Sequence, residues 1–142
     1  MAYWLLKSEP TTFSIEDLAK LPQKTSPWDG VRNYQARNYL KSMTVGDLAF
    51  FYYSSCKTPG IAGIVEIVKK AYPEKNQTED PPRWFSPDVK LVQKFPSVLP
   101  LSQIKEVGSL TTMILLRKGN RLSVTPVQQK EWETIIKLCK HY

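Results

Sequence analysis

The sequence predicts an α+β fold, a partly closed mixed β-barrel of five or six strands with short flanking helices. Three observations carry that expectation. Hydrophobic periodicity switches several times between two-residue and helical spacing. No repeating βαβ unit or internal repeat occurs, which argues against a doubly wound sheet. The chain has 142 residues, 42% hydrophobic and 23% charged, enough for one buried core without a metal or disulfide, so a single domain over 1–142 is expected.

Ala2 to Lys7, rich in Tyr, Trp and Leu, reads as a first strand that Ser8-Glu9-Pro10 halts. Ser14 with Asp17 three residues on is a capping box, and Ile15, Leu18, Ala19 and Leu21 give the helix behind it an apolar side. Pro22 to Gly30 is expected to be loop. A second helix starts near Asn33, with Tyr34, Ala36, Tyr39, Leu40 and Met43 at roughly helical spacing and Arg37 and Lys41 on the other side. After the Val45-Gly46-Asp47 turn, Leu48–Tyr53 is strand by its aromatic content. Beyond Pro59-Gly60, Ile61 to Val68 is nearly continuously apolar, as in a strand buried on both faces, and Gly63 allows a close neighbour.

Residues 73–100 hold six of the eleven prolines and read as loop broken by a one-sided strand, Asp88 to Phe95. Leu101 to Val107 is one or two helical turns capped by Ser102. The last helix is expected to start with Thr125 as N-cap, Pro126 at N1 and Gln128 at N3, with Trp132, Ile135, Ile136 and Cys139 forming its apolar stripe. Trp132 and Cys139 are accordingly core residues.

Several chemistries lack their residues. The one histidine, His141, stands beside the C-terminus, where a hydrolytic triad would rest on a mobile group. Cys56 and Cys139 have no CxxC or HxxxH spacing, so they read as reduced thiols and no zinc site is expected. Neither GxGxxG nor GxxxxGK[ST] occurs. No apolar run approaches the roughly 18 residues of a membrane helix, and Ala2 to Leu6 is too short for a signal peptide. A cytoplasmic protein with no membrane partner is therefore expected, without catalytic residues or cofactor.

What stands out is charge and aromatic placement. Twenty Lys and Arg against thirteen Asp and Glu give +7, a balance that suits phosphates and equally a plain basic surface. Ten of the sixteen aromatic residues fall in the first 60 positions, and alternation sends only about half of Tyr3/Trp4 and Phe50–Tyr53 inward. Trp28 is different. It lies in the loop Pro27-Trp28-Asp29-Gly30 ahead of Val31-Arg32-Asn33-Tyr34. An indole held there beside Arg and Asn can stack on a base pulled out of its helix, or it can plug the barrel end.

Tyr3-Trp4-Leu5-Leu6-Lys7-Ser8-Glu9-Pro10 and Trp28-Asp29-Gly30-Val31-Arg32-Asn33-Tyr34-Gln35-Ala36-Arg37-Asn38 closely resemble the opening of EVE-domain proteins. The resemblance continues in order through Phe51-Tyr52-Tyr53-Ser54, Pro59-Gly60-Ile61-Ala62-Gly63-Ile64, Ala71-Tyr72-Pro73, Arg121 to Val127 and Trp132. It implies a PUA-like barrel related to YTH domains, with a pocket for a flipped, modified base in DNA or RNA. By position, Lys7, Ser8, Glu9, Trp28, Val31, Asn33, Tyr34, Tyr53 and Ser54 would bind the base. Tyr53 stands where family members commonly carry His, which exchanges a ring nitrogen for a bulkier phenol.

In the chemical reading, Trp28 stacks on the base and Asn33 and Ser8 bond its edge. Arg32, Arg37 and Lys41 take phosphates, with Lys7 a further candidate for charge pairing. Glu9 either accepts from an exocyclic amine or pairs with an Arg as a strut. The expected partner is nucleic acid, single-stranded or with a flipped base, bound by a monomer. Two other classes stay open: an adaptor for other proteins with a vestigial pocket, and an enzyme using Glu9 or Asp29 as general base.

Overall fold

The computed structural model describes residues 1–140. His141, expected to be mobile, lies outside the described residues. Six strands form one mixed sheet: β1 (Tyr3–Ser8), β2 (Thr25–Pro27), β3 (Leu48–Tyr53), β4 (Gly60–Pro73), β5 (Phe85–Pro100) and β6 (Val124–Val127). Their order is β2-β5-β4-β3-β1-β6, with β1 parallel to β3 and every other pair antiparallel. The α+β class and strand number agree with expectation. The sheet ends in two free edges, β2 and β6, and so is open where a partly closed barrel was expected.

Alternation along the central strands builds two cores. Trp4 and Leu6 of β1 and Phe51 and Tyr53 of β3 face one side, where α1 (Ile15–Lys20) contributes Ile15 and Leu18 and α2 (Tyr34–Ser42) contributes Ala36 and Leu40. Leu5, Phe50 and Tyr52 face the other, under α3 (Leu101–Lys105) and α4 (Gln129–Cys139). There Trp132 lies flat between Phe50, at 3.9 Å, and Tyr3, at 4.6 Å. Cys139 is half-buried against this core, and burial pushes its thiol up to about 12.

Asp47 fastens the start of the sheet. It is buried, and it accepts the Trp4 indole N–H and the Thr44 N–H at 3.0 Å and the Ala2 N–H at 3.1 Å. Burial raises its pKa, but those donors outweigh the effect and hold it below the usual carboxylate range. Gly63 shows why no other residue fits: a Cβ there would strike the Gln93 carbonyl of β5 and sit 2.5 Å from Ile15 Cδ1.

Four local expectations are corrected. Pro22 to Gly30 holds a 3₁₀ turn, Pro22–Lys24, and the short edge strand β2, because Thr25–Pro27 finds the backbone of Asp88–Lys90. Residues 73–100 are not mainly loop: β5 runs sixteen residues through Pro87 and Pro96. Pro100, not Ser102, caps α3. Thr125 and Pro126 belong to β6, since their backbone pairs with β1, and α4 starts three residues later, with Gln128 as N-cap and Glu131 completing the box. The Ser14–Asp17 box stands as expected, both hydrogen bonds being present at 2.9 and 3.0 Å.

Candidate functional site

A cavity of about 560 Å³ opens where the C-terminal end of β1, the segment Ser26–Asn33 and the approach to β6 meet. The loop that carries Trp28 is fixed at three points. The Trp28 N–H donates to the Pro87 carbonyl of β5 at 2.8 Å. Gly30 turns the chain at φ +82°, which favours glycine, and its N–H donates to Glu74 Oε2 at 3.2 Å. Arg32 grips the same carboxylate with two N–H groups, at 2.9 and 3.1 Å. The Glu74 carboxylate, by this bond, raises the Arg32 pKa.

Trp28 is only 6% exposed. Its ring meets Phe51 edge to face at 5.3 Å and 89°, and Phe13 at 6.3 Å and 73°. It is therefore wedged in the core, as the plug reading expects, while also lining the cavity, as the stacking reading needs. The two roles meet in one residue, a buried indole braced by two aromatic neighbours on a cavity wall.

Of the residues expected to bind a base, Lys7, Ser8, Trp28, Val31 and Asn33 line this cavity, joined by Arg32. Lys7 is half-buried and forms no ion pair among the described residues; burial lowers its pKa. The Ser8 hydroxyl donates to the Phe13 carbonyl at 2.6 Å. Asn33 is the N-cap of α2, its Oδ1 accepting the Ala36 N–H at 3.0 Å, so only its amide NH₂ is free to donate into the cavity.

The others lie elsewhere. Glu9 is exposed outside the cavity lining, and its carbonyl accepts the N–H groups of Thr12 and Phe13. Tyr34 is exposed and stacks on Trp84 at 5.4 Å. Tyr53 is buried, its hydroxyl accepting the Ile15 N–H at 2.9 Å and donating to Glu16 at 3.2 Å. Ser54 lies outside the cavity lining, its N–H donating to the Ser8 carbonyl at 3.0 Å. Arg37 reaches the Arg83 carbonyl at 3.0 Å, and Lys41 stands over Phe85 at 4.5 Å, both away from the cavity. The lining also includes Thr12, Phe13, Arg121 and Ser123, none singled out for the site. Arg121 and Ser123 were detectable, since they open the motif that becomes β6, which pairs with β1.

Chemically, the cavity offers an aromatic wall, hydroxyls of Ser8, Ser26, Thr12 and Ser123, cations from Lys7, Arg32 and Arg121, and the carboxylate of Asp29. That set suits a flat, polar heterocycle attached to an anion. No group of three His, Cys, Asp or Glu able to hold a metal occurs among the described residues.

The sequence model of the EVE domain matches residues 2–138. Human thymocyte nuclear protein 1 is 41% identical over 166 residues, spanning 96% of this chain and 73% of the human one. Among solved structures, the human THYN1 protein in complex with DNA containing 5-methylcytosine superposes with a TM-score of 0.89 at 38% identity, covering 99% of this chain and 98% of that one. The Mmi1 YTH domain is similar in fold alone, at 10% identity and a TM-score of 0.62. The expectation of a cytoplasmic protein is overturned by these comparisons, because the human, mouse and chicken relatives carry a nuclear name.

Proposed function

The chain belongs to the EVE domain family, and on that premise we propose that it is a non-catalytic module that binds DNA through a modified cytosine, taking the extruded base into the Trp28 cavity. One observation carries the reading: the Trp28 indole, braced by Phe51 and Phe13, borders a cavity lined also by the Asn33 amide nitrogen, Lys7 and Asp29, which have no side-chain hydrogen-bond partner among the described residues. Trp28 stacks on the base, the Asn33 amide and Lys7 donate to its acceptors, and Asp29 accepts from its amine. The human relative bound to 5-methylcytosine DNA supports the ligand class.

Stacking on one aromatic face is worth about 1–3 kcal/mol, close to the cost of extruding a weakly paired base. A buried methyl adds about 0.8 kcal/mol, so preference for the methylated base is modest, roughly fourfold, unless polar groups add to it. Titrating short duplexes with and without one 5-methylcytosine tests this. The wild type binds the methylated duplex better, and Trp28→Ala weakens that binding about tenfold or more. Trp28→Phe, which keeps a ring, separates loss of stacking from loss of fold. Equal binding by wild type and both variants removes Trp28 from recognition; turnover of the base makes the protein an enzyme.

A further inference from the structure

A second feature begins at the cavity mouth and leads away from it along α2. The Arg32 guanidinium lies over Trp84 at 5.0 Å. Trp84 stacks on Tyr34 at 5.4 Å and 22°. Tyr34, 52% exposed, holds the guanidinium groups of Arg37 and Arg83 at 5.0 and 5.8 Å from its ring. One helical turn further on, Lys41 stands over Phe85 at 4.5 Å, and Lys70 donates to the Lys41 and Met43 carbonyls at 3.2 Å.

This is a ladder of rings and cations, and its charges are unevenly met. Glu74 pairs with Arg32. Among the described residues, Arg37, Arg83, Lys41 and Lys70 form no ion pair. Glu79 and Asp80 line a shallow depression of about 330 Å³ with Arg37 and Arg83 but pair with neither. Two guanidinium groups around one ring repel each other, and the ring attraction that holds them is worth only about 0.5–1 kcal/mol at an exposed site. An anion beside them relieves that repulsion, and the Arg37 guanidinium is already held for it by Asn38 Oδ1 at 2.9 and 3.2 Å and by the Arg83 carbonyl at 3.0 Å, neutral partners that leave its charge unmatched.

We propose that this ladder seats the phosphodiester backbone of the strand whose base enters the cavity, with Arg37 and Arg83 each meeting a phosphate and Lys41 the next. The placement rests on the cavity reading, since Arg32 and Asn33 belong to the cavity and Tyr34 to the ladder, making the two surfaces continuous. Phosphate contacts fix register without reading sequence, so the ladder supplies affinity and the cavity selectivity.

The test compares wild type with Arg37→Gln/Arg83→Gln on a short duplex carrying one 5-methylcytosine, from 50 to 200 mM salt. Each lost phosphate contact makes log K against log salt shallower by roughly 0.9, so the wild type should lose about tenfold more affinity across that range than the double variant. Uptake of free 5-methyl-2′-deoxycytidine stays unchanged. Arg37→Lys/Arg83→Lys restores most of the slope, which a misfolded protein would not do. Lys105→Gln, which removes one charge from the opposite face of the sheet, leaves the slope as it was. A wild-type slope in the glutamine variant, or an equal change from Lys105→Gln, overturns the ladder. If even the wild type takes up no nucleoside and ignores methylation, the cavity reading falls, while the slopes still decide the ladder.

Discussion

Tyr53 closes β3 with its ring edge-on to Phe51, at 5.7 Å and 89°, and its hydroxyl joins the first turn of α1 to the sheet. By family resemblance it is a base-binding residue standing in for histidine; in the fold it is a strut beneath the helix that precedes the pocket. Burial, with the Glu16 carboxylate beside it, raises its pKa. Tyr53→Phe strands the buried Ile15 N–H and should cost about 1–3 kcal/mol in urea unfolding while leaving affinity for the methylated duplex unchanged. Lost affinity at unchanged stability would put the phenol in the site after all. Asn33 and Ser8 show the same division of labour. The sequence marks Asn33 as the start of a helix and as a binding residue, and it is at once an N-cap and part of the cavity wall. Residue type announces what a side chain can do, while its neighbours decide how many of its atoms remain available.

Among elements, the β4–β5 hairpin braces the site without entering it, since no residue of either strand lines the cavity. β4 runs fourteen residues, and just past its end Glu74 holds both Arg32 and the Gly30 N–H. Glu74 thus positions the Trp28 loop without lining the cavity itself. Glu74→Gln should lower global stability by about 1 kcal/mol or less, because the Arg32 end of the pair is 49% exposed and glutamine keeps an acceptor oxygen for the Gly30 N–H, although Glu74 itself is only 12% exposed. It should nonetheless weaken binding of the methylated duplex several-fold and speed hydrogen exchange at Gly30. Unchanged exchange together with unchanged binding would show that the loop holds without it. Alternating hydrophobicity made the middle of β5 legible, but its prolines hid the ends. They are tolerated because β2 covers only Asp88–Lys90, so Pro96 and Pro100 lie beyond the reach of that neighbour and need no N–H on that side. The start of α4 misleads for a related reason. Thr125-x-x-Gln128 and Gln128-x-x-Glu131 both spell a capping box, and pairing of Val124–Val127 with β1 selects the second.

On the scale of the molecule, one sheet separates two cores, and the cavity belongs to the face that carries α1 and α2. Trp132, in the opposite core, is stacked on Phe50 and Tyr3. Trp132→Ala should therefore cost about 3–5 kcal/mol and lower the melting temperature, with nucleoside affinity of the folded protein unchanged within about twofold. A parallel loss of affinity would mean that the sheet transmits packing between its faces. Charge follows the same logic: the net +7 is a property of composition, whereas the ladder beside α2 exists only because the fold brings Arg83 and Trp84, just ahead of β5, to Tyr34 and Arg37 of α2. By itself the amino-acid order determined the α+β class, the central strands, the Ser14 cap and the segment around Trp28, since periodicity, capping and turn chemistry act over a few neighbouring residues. Tertiary structure alone decided that the sheet stays open, that Tyr53 and Tyr34 leave the cavity, and that Glu74 meets an arginine 42 positions away, because strand register and packing choose which distant side chains share a space.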